Sequence, residues 1–154
     1  MSDQKEIENI TIDILIDYIK NSLLQKNYHW INEPNSQCIH YEVCVAMEVS
    51  ASEMAVKFKH LFNDLLNEFY NTPTDENTGY QKFLAVCTGV FEPEPSWAKV
   101  VAVFVFAGQL AVHFAETNQQ ELIDCIISWM RLYVHNSLAN FIINKGGWNN
   151  FINQ

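Results

Sequence analysis

Five histidines and four cysteines are the residues of this chain best suited to chemistry, and their spacing limits what they can do. His29, His40, His60, His113 and His135 are scattered. Only His40 and Cys44 stand four residues apart, the spacing that sets two ligands on one helix face, and no third His or Cys continues that spacing. Cys38, Cys44, Cys87 and Cys125 form no Cys-x-x-Cys pair, so they read as small core residues with reduced thiols in an intracellular protein. No Gly-x-Ser-x-Gly, phosphate-binding glycine loop or His-Glu-x-x-His is present. The chain therefore reads as a non-enzyme, with no cofactor and no metal. One charge stands apart. In "SWAKVVAVFVFAGQLAVHF", residues 96–114, Lys99 breaks an almost wholly apolar run. That run is a membrane span, a buried core helix, or the floor of a binding site with a charge at its rim.

The elements that must position these residues are helical. Ile12, Leu15, Ile16, Ile19 and Leu23 recur at spacings of three and four, which predicts a first helix over roughly 6–24. "EPNSQ" breaks the pattern, and a second helical region begins near Ile39. Met54, Phe58, Leu61, Phe62, Leu65 and Phe69 predict one face of a single further helix. "NTPTDENTG" reads as a loop from its Pro, Gly and Asx content. A short helix over 80–91 is stopped by "EPEP", because proline has no N–H to donate and disfavours helix just before it.

Ser96 is placed as the N-cap of the apolar run. Asn118-Gln-Gln-Glu121 resembles a capping box and starts the next helix, which continues through Trp129 and Tyr133. Gly146-Gly147 ends another short helix, and 148–152 forms a last turn. Nothing alternates with period two. A membrane span needs about 20 mostly apolar residues, and Lys99, Gln109 and His113 divide this one. A helix apolar all round in a soluble chain belongs in the middle of a bundle. The expectation is an all-α fold of about seven or eight helices around a hydrophobic central helix (about 96–115).

Composition agrees. The 154 residues suit a single domain, 1–154, with 49% apolar residues for its core and 18% charged residues for its surface. A net charge of −9 argues against nucleic acid or an anionic membrane as the main partner and suits a basic or amphipathic protein. Glu8, Asp13 and Asp17 interrupt the apolar N-terminal residues, so no signal peptide is read there. Asn9-Ile-Thr11 then matches a glycosylation acceptor only by accident.

The central run also carries a resemblance. "SWAKVVAVFVFAG" (96–108) is similar to the first homology motif of the B-cell-lymphoma (Bcl) apoptosis regulators, Asn-Trp-Gly-Arg followed by an apolar run. "NKGGWNNFI" (144–152) resembles the second motif, Asn-Gly-Gly-Trp-Asp-x-Phe. "IDILIDYIKNSLLQKNYHW" (12–30) looks like the fourth motif of pro-survival members, and "FKHLFNDLL" and "TGYQKF" match further segments in the right order. The resemblance implies a helical bundle that holds the amphipathic death-motif (BH3) helix of pro-apoptotic proteins, such as Bim, Bak or Bax, in a hydrophobic surface groove.

Carried over by position, the groove walls are Met54, Phe58, Leu61, Phe62, Leu65, Val86 and Val90, with Phe106 on the floor and Ser96, Trp97, Ala98 and Lys99 at one end. Core and groove predict the same stripe for Phe62, Leu65 and Phe106. Lys99 stands where the family has arginine, keeping the attraction to a ligand aspartate but not the two-pronged geometry. Ala98 replaces the family's glycine and Ser96 its asparagine, which implies a narrower set of partners.

The chain's own third motif, matching Leu-x-x-x-Gly-Asp, is "MEVSAS" (47–52), where Ser52 lacks the carboxylate a killer protein needs. This favours an inhibitor of mitochondrial apoptosis. The chain ends at Gln154 without a hydrophobic tail, so the expected place is the cytoplasm or the mitochondrial outer membrane surface, with no anchor in this chain. A brief link between the first two helices and the drifted motifs point to a virus-encoded copy. Two alternatives remain: a membrane-perturbing pro-apoptotic member, and a homodimeric scaffold whose groove is occluded.

Overall fold

The computed structural model describes residues 3–35, 38–71 and 76–153. Parts of two predicted loops, 36–37 in "EPNSQ" and 72–75 in "NTPTDENTG", and the last residue lie outside them. Among the described residues there are eight α-helices and no strand. They are α1 (Gln4–Gln25), α2 (Tyr41–Lys57), α3 (Lys59–Tyr70), α4 (Glu76–Phe91), α5 (Trp97–Glu116), α6 (Gln120–Tyr133), α7 (Ala139–Asn144) and α8 (Trp148–Ile152). A π-helical segment, Val134–Leu138, joins α6 to α7.

The apolar run is the hub. α1, α2, α3, α4 and α6 all pack on α5, and Val100, Val103, Phe104, Ala107, Leu110 and Ala111 have no exposed surface. By length and composition α5 is apolar enough to cross a membrane, but 67% of its most apolar window is buried inside the protein. Gly108 lets α1 approach closely. A Cβ there would stand 2.6 Å from the Tyr18 ring and 2.9 Å from Ser22 Oγ.

Helix ends obey local chemistry. The Asp3 carboxylate accepts from the Glu6 N–H at 2.7 Å and starts α1 two residues before the predicted position. Ser96 Oγ accepts from the Lys99 N–H at 3.2 Å, the expected cap of α5. Three helices close alike, with the N–H two residues past the cap bonding back to the third-last helical carbonyl. These bonds are Tyr28 to Leu23 (2.9 Å), Gln119 to Phe114 (2.7 Å) and Gly147 to Ile142 (2.9 Å). The pivots Asn27, Asn118 and Gly146 take φ of 64°, 57° and 88°.

Three expectations are corrected. Asn118 caps no helix start: it is the left-handed pivot that ends α5, and Gln119, at the N-cap of α6, makes no side-chain cap bond. Asn fits both roles, because its short amide bonds nearby backbone and tolerates positive φ. The stripe from Met54 to Phe69 is not one helix. It breaks at Phe58 (φ −114°, ψ 34°), and α3 turns to bury Phe62 and Phe69 on α5. No Gly or Pro marks that break, which tertiary packing imposes. Finally, α4 starts at Glu76 rather than Tyr80, because a polar, Asx-rich segment also serves as a helix's first turn.

Candidate functional site

Two hydrogen-bonded tryptophans assemble one end of the bundle. Gly147, with φ 98° and ψ −177°, adopts a backbone that side chains forbid and so delivers α8 against α5. Trp97 Nε1 then donates to Asn150 Oδ1 at 2.7 Å, and the Trp97 ring packs 5.2–5.3 Å from those of Phe141, Trp148 and Phe151. Trp148 Nε1 donates to Thr11 Oγ1 at 2.9 Å, and the Thr11 hydroxyl donates in turn to the Ile7 carbonyl oxygen at 2.7 Å. Thus the two sequence motifs, nearly fifty residues apart, form one structural unit with α1.

Beside this unit lies an open cleft of about 710 Å³. One wall is α2, through Ala46, Val49, Ser50, Glu53, Met54 and Lys57, with Phe58 at the helix end. The other walls are Trp97, Ala98 and Val101 of α5 and Phe151 and Ile152 of α8. Phe58 and Val49 are exposed (43% and 54%) in spite of their size. Lys99, on the first turn of α5, is half-buried, and among the described residues its ammonium has no ion-pair partner. The unpaired N–H groups of that same turn add positive potential. The cleft therefore offers apolar contacts next to the positive N-terminal end of α5.

Of the residues picked from sequence, Met54, Phe58, Trp97 and Ala98 line this cleft. Ser96 and Lys99 flank Trp97 and Ala98 in sequence but are not part of the lining. Leu61 is exposed, and Leu65 and Val90 are half-buried, all outside the lining. Phe62, Val86 and Phe106 are not open walls or floor but core, at 1%, 8% and 1% exposure. The cause is aromatic packing of α3 and α4 over α5: Phe69 and Phe83 lie 6.3 and 5.9 Å from the Phe106 ring. Sequence reasoning missed Ala46, Val49, Ser50, Glu53, Lys57, Val101, Phe151 and Ile152. Positions 46, 49, 50, 53 and 57 share one helical face, but three of the five are polar and escape a search for apolar stripes.

A second cleft of about 860 Å³ lies across α2, bounded by α1, α3 and α5, and contains none of the predicted groove residues. It is charge-mixed. Glu48 accepts from Asn21 Nδ2 at 3.2 Å, and burial raises its pKa from the ordinary 4.5, with Asp17 adding to the shift. The His113 ring stacks on Tyr70 at 3.6 Å, and burial lowers the histidine's pKa against the opposing pull of Glu116.

Comparison with known proteins agrees with the fold and the paired motifs. The profile of the Bcl-2 family, apoptosis regulator proteins, matches residues 47–148. Bcl-2-like protein 1 of Rattus norvegicus is 32% identical over 107 residues, 70% of this chain and 45% of its own length. Apoptosis regulator Bcl-2 of Gallus gallus is 28% identical over 110 residues, 71% of this chain and 46% of its own. The chain thus spans about half the length of the relatives it matches. The crystal structure of chicken BOK superposes with a TM-score of 0.84 at 21% identity, covering 97% of this chain and 96% of that one, which establishes a common fold.

Proposed function

The chain belongs to the Bcl-2 family of apoptosis regulators, and from that premise we propose that it is a pro-survival member that captures death-motif helices in the cleft between α2, α5 and α8. Capture would sequester pro-apoptotic proteins such as Bim, Bak or Bax inside the cell and so inhibit mitochondrial apoptosis. The observation that carries the reading is an exposed, largely apolar cleft lined by Trp97 and Ala98, next in sequence to Lys99, which has no ion-pair partner among the described residues. An amphipathic helix presenting apolar anchors at i, i+3, i+4 and i+7 and an acid complements both features. This family is itself a standard example of such helix-in-groove recognition.

The chain's own third motif supports the receptor role. Met47 and Ala51 are buried, at 0% and 1%, and exposed Ser52 offers no carboxylate to a partner's arginine. Lys99 makes a point-charge contact rather than a two-pronged one, and the Ala98 methyl stands in the cleft lining where a ligand backbone would approach. Both favour a narrow set of partners.

Lys99→Glu places a repulsive charge against the ligand's acid. Calorimetry against a panel of death-motif peptides should show a loss of roughly 100-fold or more, in keeping with about 2–5 kcal/mol for disrupting a close charge pair. Helicity by circular dichroism should be unchanged. Equal affinity in wild type and variant would remove the cleft from the account, and uniform nanomolar binding across the panel would refute the narrow partner set.

One observation favours a second reading: α5 is long and apolar enough to span a bilayer. A membrane-perturbing member would release dye from liposomes at nanomolar protein without a partner, whereas the pro-survival reading expects none. A homodimeric scaffold with an occluded groove would scatter light as a dimer whether or not peptide is added.

A further inference from the structure

The fold brings together two cysteines that form no Cys-x-x-Cys pair in the sequence. Cys38 lies in the segment before α2, and Cys44 lies in the first turn of α2. Their sulfur atoms are 2.6 Å apart, close to the ~2.05 Å of a covalent S–S bond. Cys44 is buried, whereas Cys38 is half-buried and opens on a cavity of about 320 Å³. Among the described residues no group of three His, Cys, Asp or Glu side chains could hold a metal ion, so the pair is not part of a metal site.

We propose that Cys38 and Cys44 are a reversible oxidation site that closes to an intramolecular disulfide on exposure to hydrogen peroxide. Cys38 is the sulfur that reacts first with peroxide, because it faces the cavity. Its thiolate displaces hydroxide from the peroxide, giving a sulfenic acid. The Cys44 sulfur then attacks that sulfenic sulfur, and water leaves with the Cys44 proton. Overall, two thiols and one hydrogen peroxide give one disulfide and two waters. Burial, the contact with Cys38 and the nearby Asp17 carboxylate push the Cys44 thiol's pKa up, which leaves the cavity-facing Cys38 as the first to react.

The surroundings select the oxidant. Asp13, Asp17 and Glu33 line the cavity with a single cation, Lys20, whose Nζ is 3.4 Å from Glu33. Three carboxylates against one ammonium repel the anionic glutathione disulfide and admit neutral peroxide. The bond would staple the segment before α2 to that helix's first turn, at the end of α2 away from Met54 and Lys57. The proposal does not depend on the function assigned to the cleft.

The test uses the reduced full chain, treated separately with hydrogen peroxide and with glutathione disulfide. Peroxide should remove two of the four titratable thiols and lower the intact mass by two hydrogens. Cleavage after Tyr41 should leave two peptides joined until dithiothreitol is added. Cys38→Ser or Cys44→Ala should abolish the link, the alanine keeping position 44 apolar and its helix folded by circular dichroism. Cys125→Ser should leave the link intact. Four surviving thiols, sulfinic acid at Cys38 without a link, or dimers joined between chains would overturn the proposal. Oxidation as fast with glutathione disulfide as with peroxide would overturn the charge selection.

Discussion

Thr11 is the buried hydroxyl on which one end of the bundle turns. It accepts from Trp148 and donates to Ile7, so the indole N–H, the hydroxyl and a carbonyl are satisfied together. A buried polar group left without its partner costs about 1–3 kcal/mol, and Thr11→Val, nearly the same shape, would strand the Trp148 N–H. Urea unfolding should show a loss in that range. Glu48 carries the opposite sign. Its pKa is raised in the folded state, chiefly by burial, so the fold binds this proton more tightly than the unfolded chain does. The stability this contributes is complete below the ordinary value of 4.5 and is lost as pH rises through the raised folded value. Glu48→Gln removes the titration and keeps an acceptor for Asn21. The variant should have a higher urea midpoint than wild type at pH 7, and the gap should close below pH 4.5. A gap unchanged with pH would show that desolvation of this carboxylate is not the cause.

At the scale of helices, termini matter more than interiors. Asn118 holds φ 57° where α5 hands over to α6, a conformation that costs a residue with a Cβ about 1–2 kcal/mol and glycine almost nothing. Asn118→Ala should therefore lower stability by about 1 kcal/mol, while Asn118→Gly holds or raises it. Thermal melts of the two variants separate this role from a helix-start cap, for which glycine and alanine would both be losses. The break at Phe58 follows a different logic. Helix α2 could continue without offending any local preference, yet α3 gains more by burying Phe62 and Phe69 against α5. The Val134–Leu138 π-segment is likewise silent in the sequence. Its register is anchored from α1, where Gln4 Nε2 donates to the His135 carbonyl at 2.9 Å and Glu8 meets the His135 ring at 2.9 Å.

For the whole molecule, one aromatic and aliphatic core surrounds α5, and the four tryptophans report on it from different sides. Trp30, Trp97, Trp129 and Trp148 are all buried, and Trp30 Nε1 ties the segment after α1 to α6 through Asp124 Oδ1 at 3.0 Å. We propose that 1–154 folds as a single cooperative unit. Tryptophan fluorescence and far-ultraviolet circular dichroism should then give coincident urea transitions. Separated midpoints would divide the chain into independently melting parts.

Much of the architecture was legible in the residues themselves. Apolar spacing revealed α1, Ser96 and the apolar run that follows it revealed α5, and the Trp97 and Trp148 motifs identified the family and pointed to Ala98 in the cleft lining. These signals are local: they depend on which side chains share a helix face and which can cap an end. What surrounds a face is not local. A stripe covered by a neighbouring helix and a stripe left open look identical along the chain, so only tertiary packing could send Phe62, Val86 and Phe106 into the core and leave Val49 and Phe58 bare. The same long-range closure brought α8 to the cleft and set the sulfurs of Cys38 and Cys44 together, because the path of the backbone between elements is decided by the core they jointly bury.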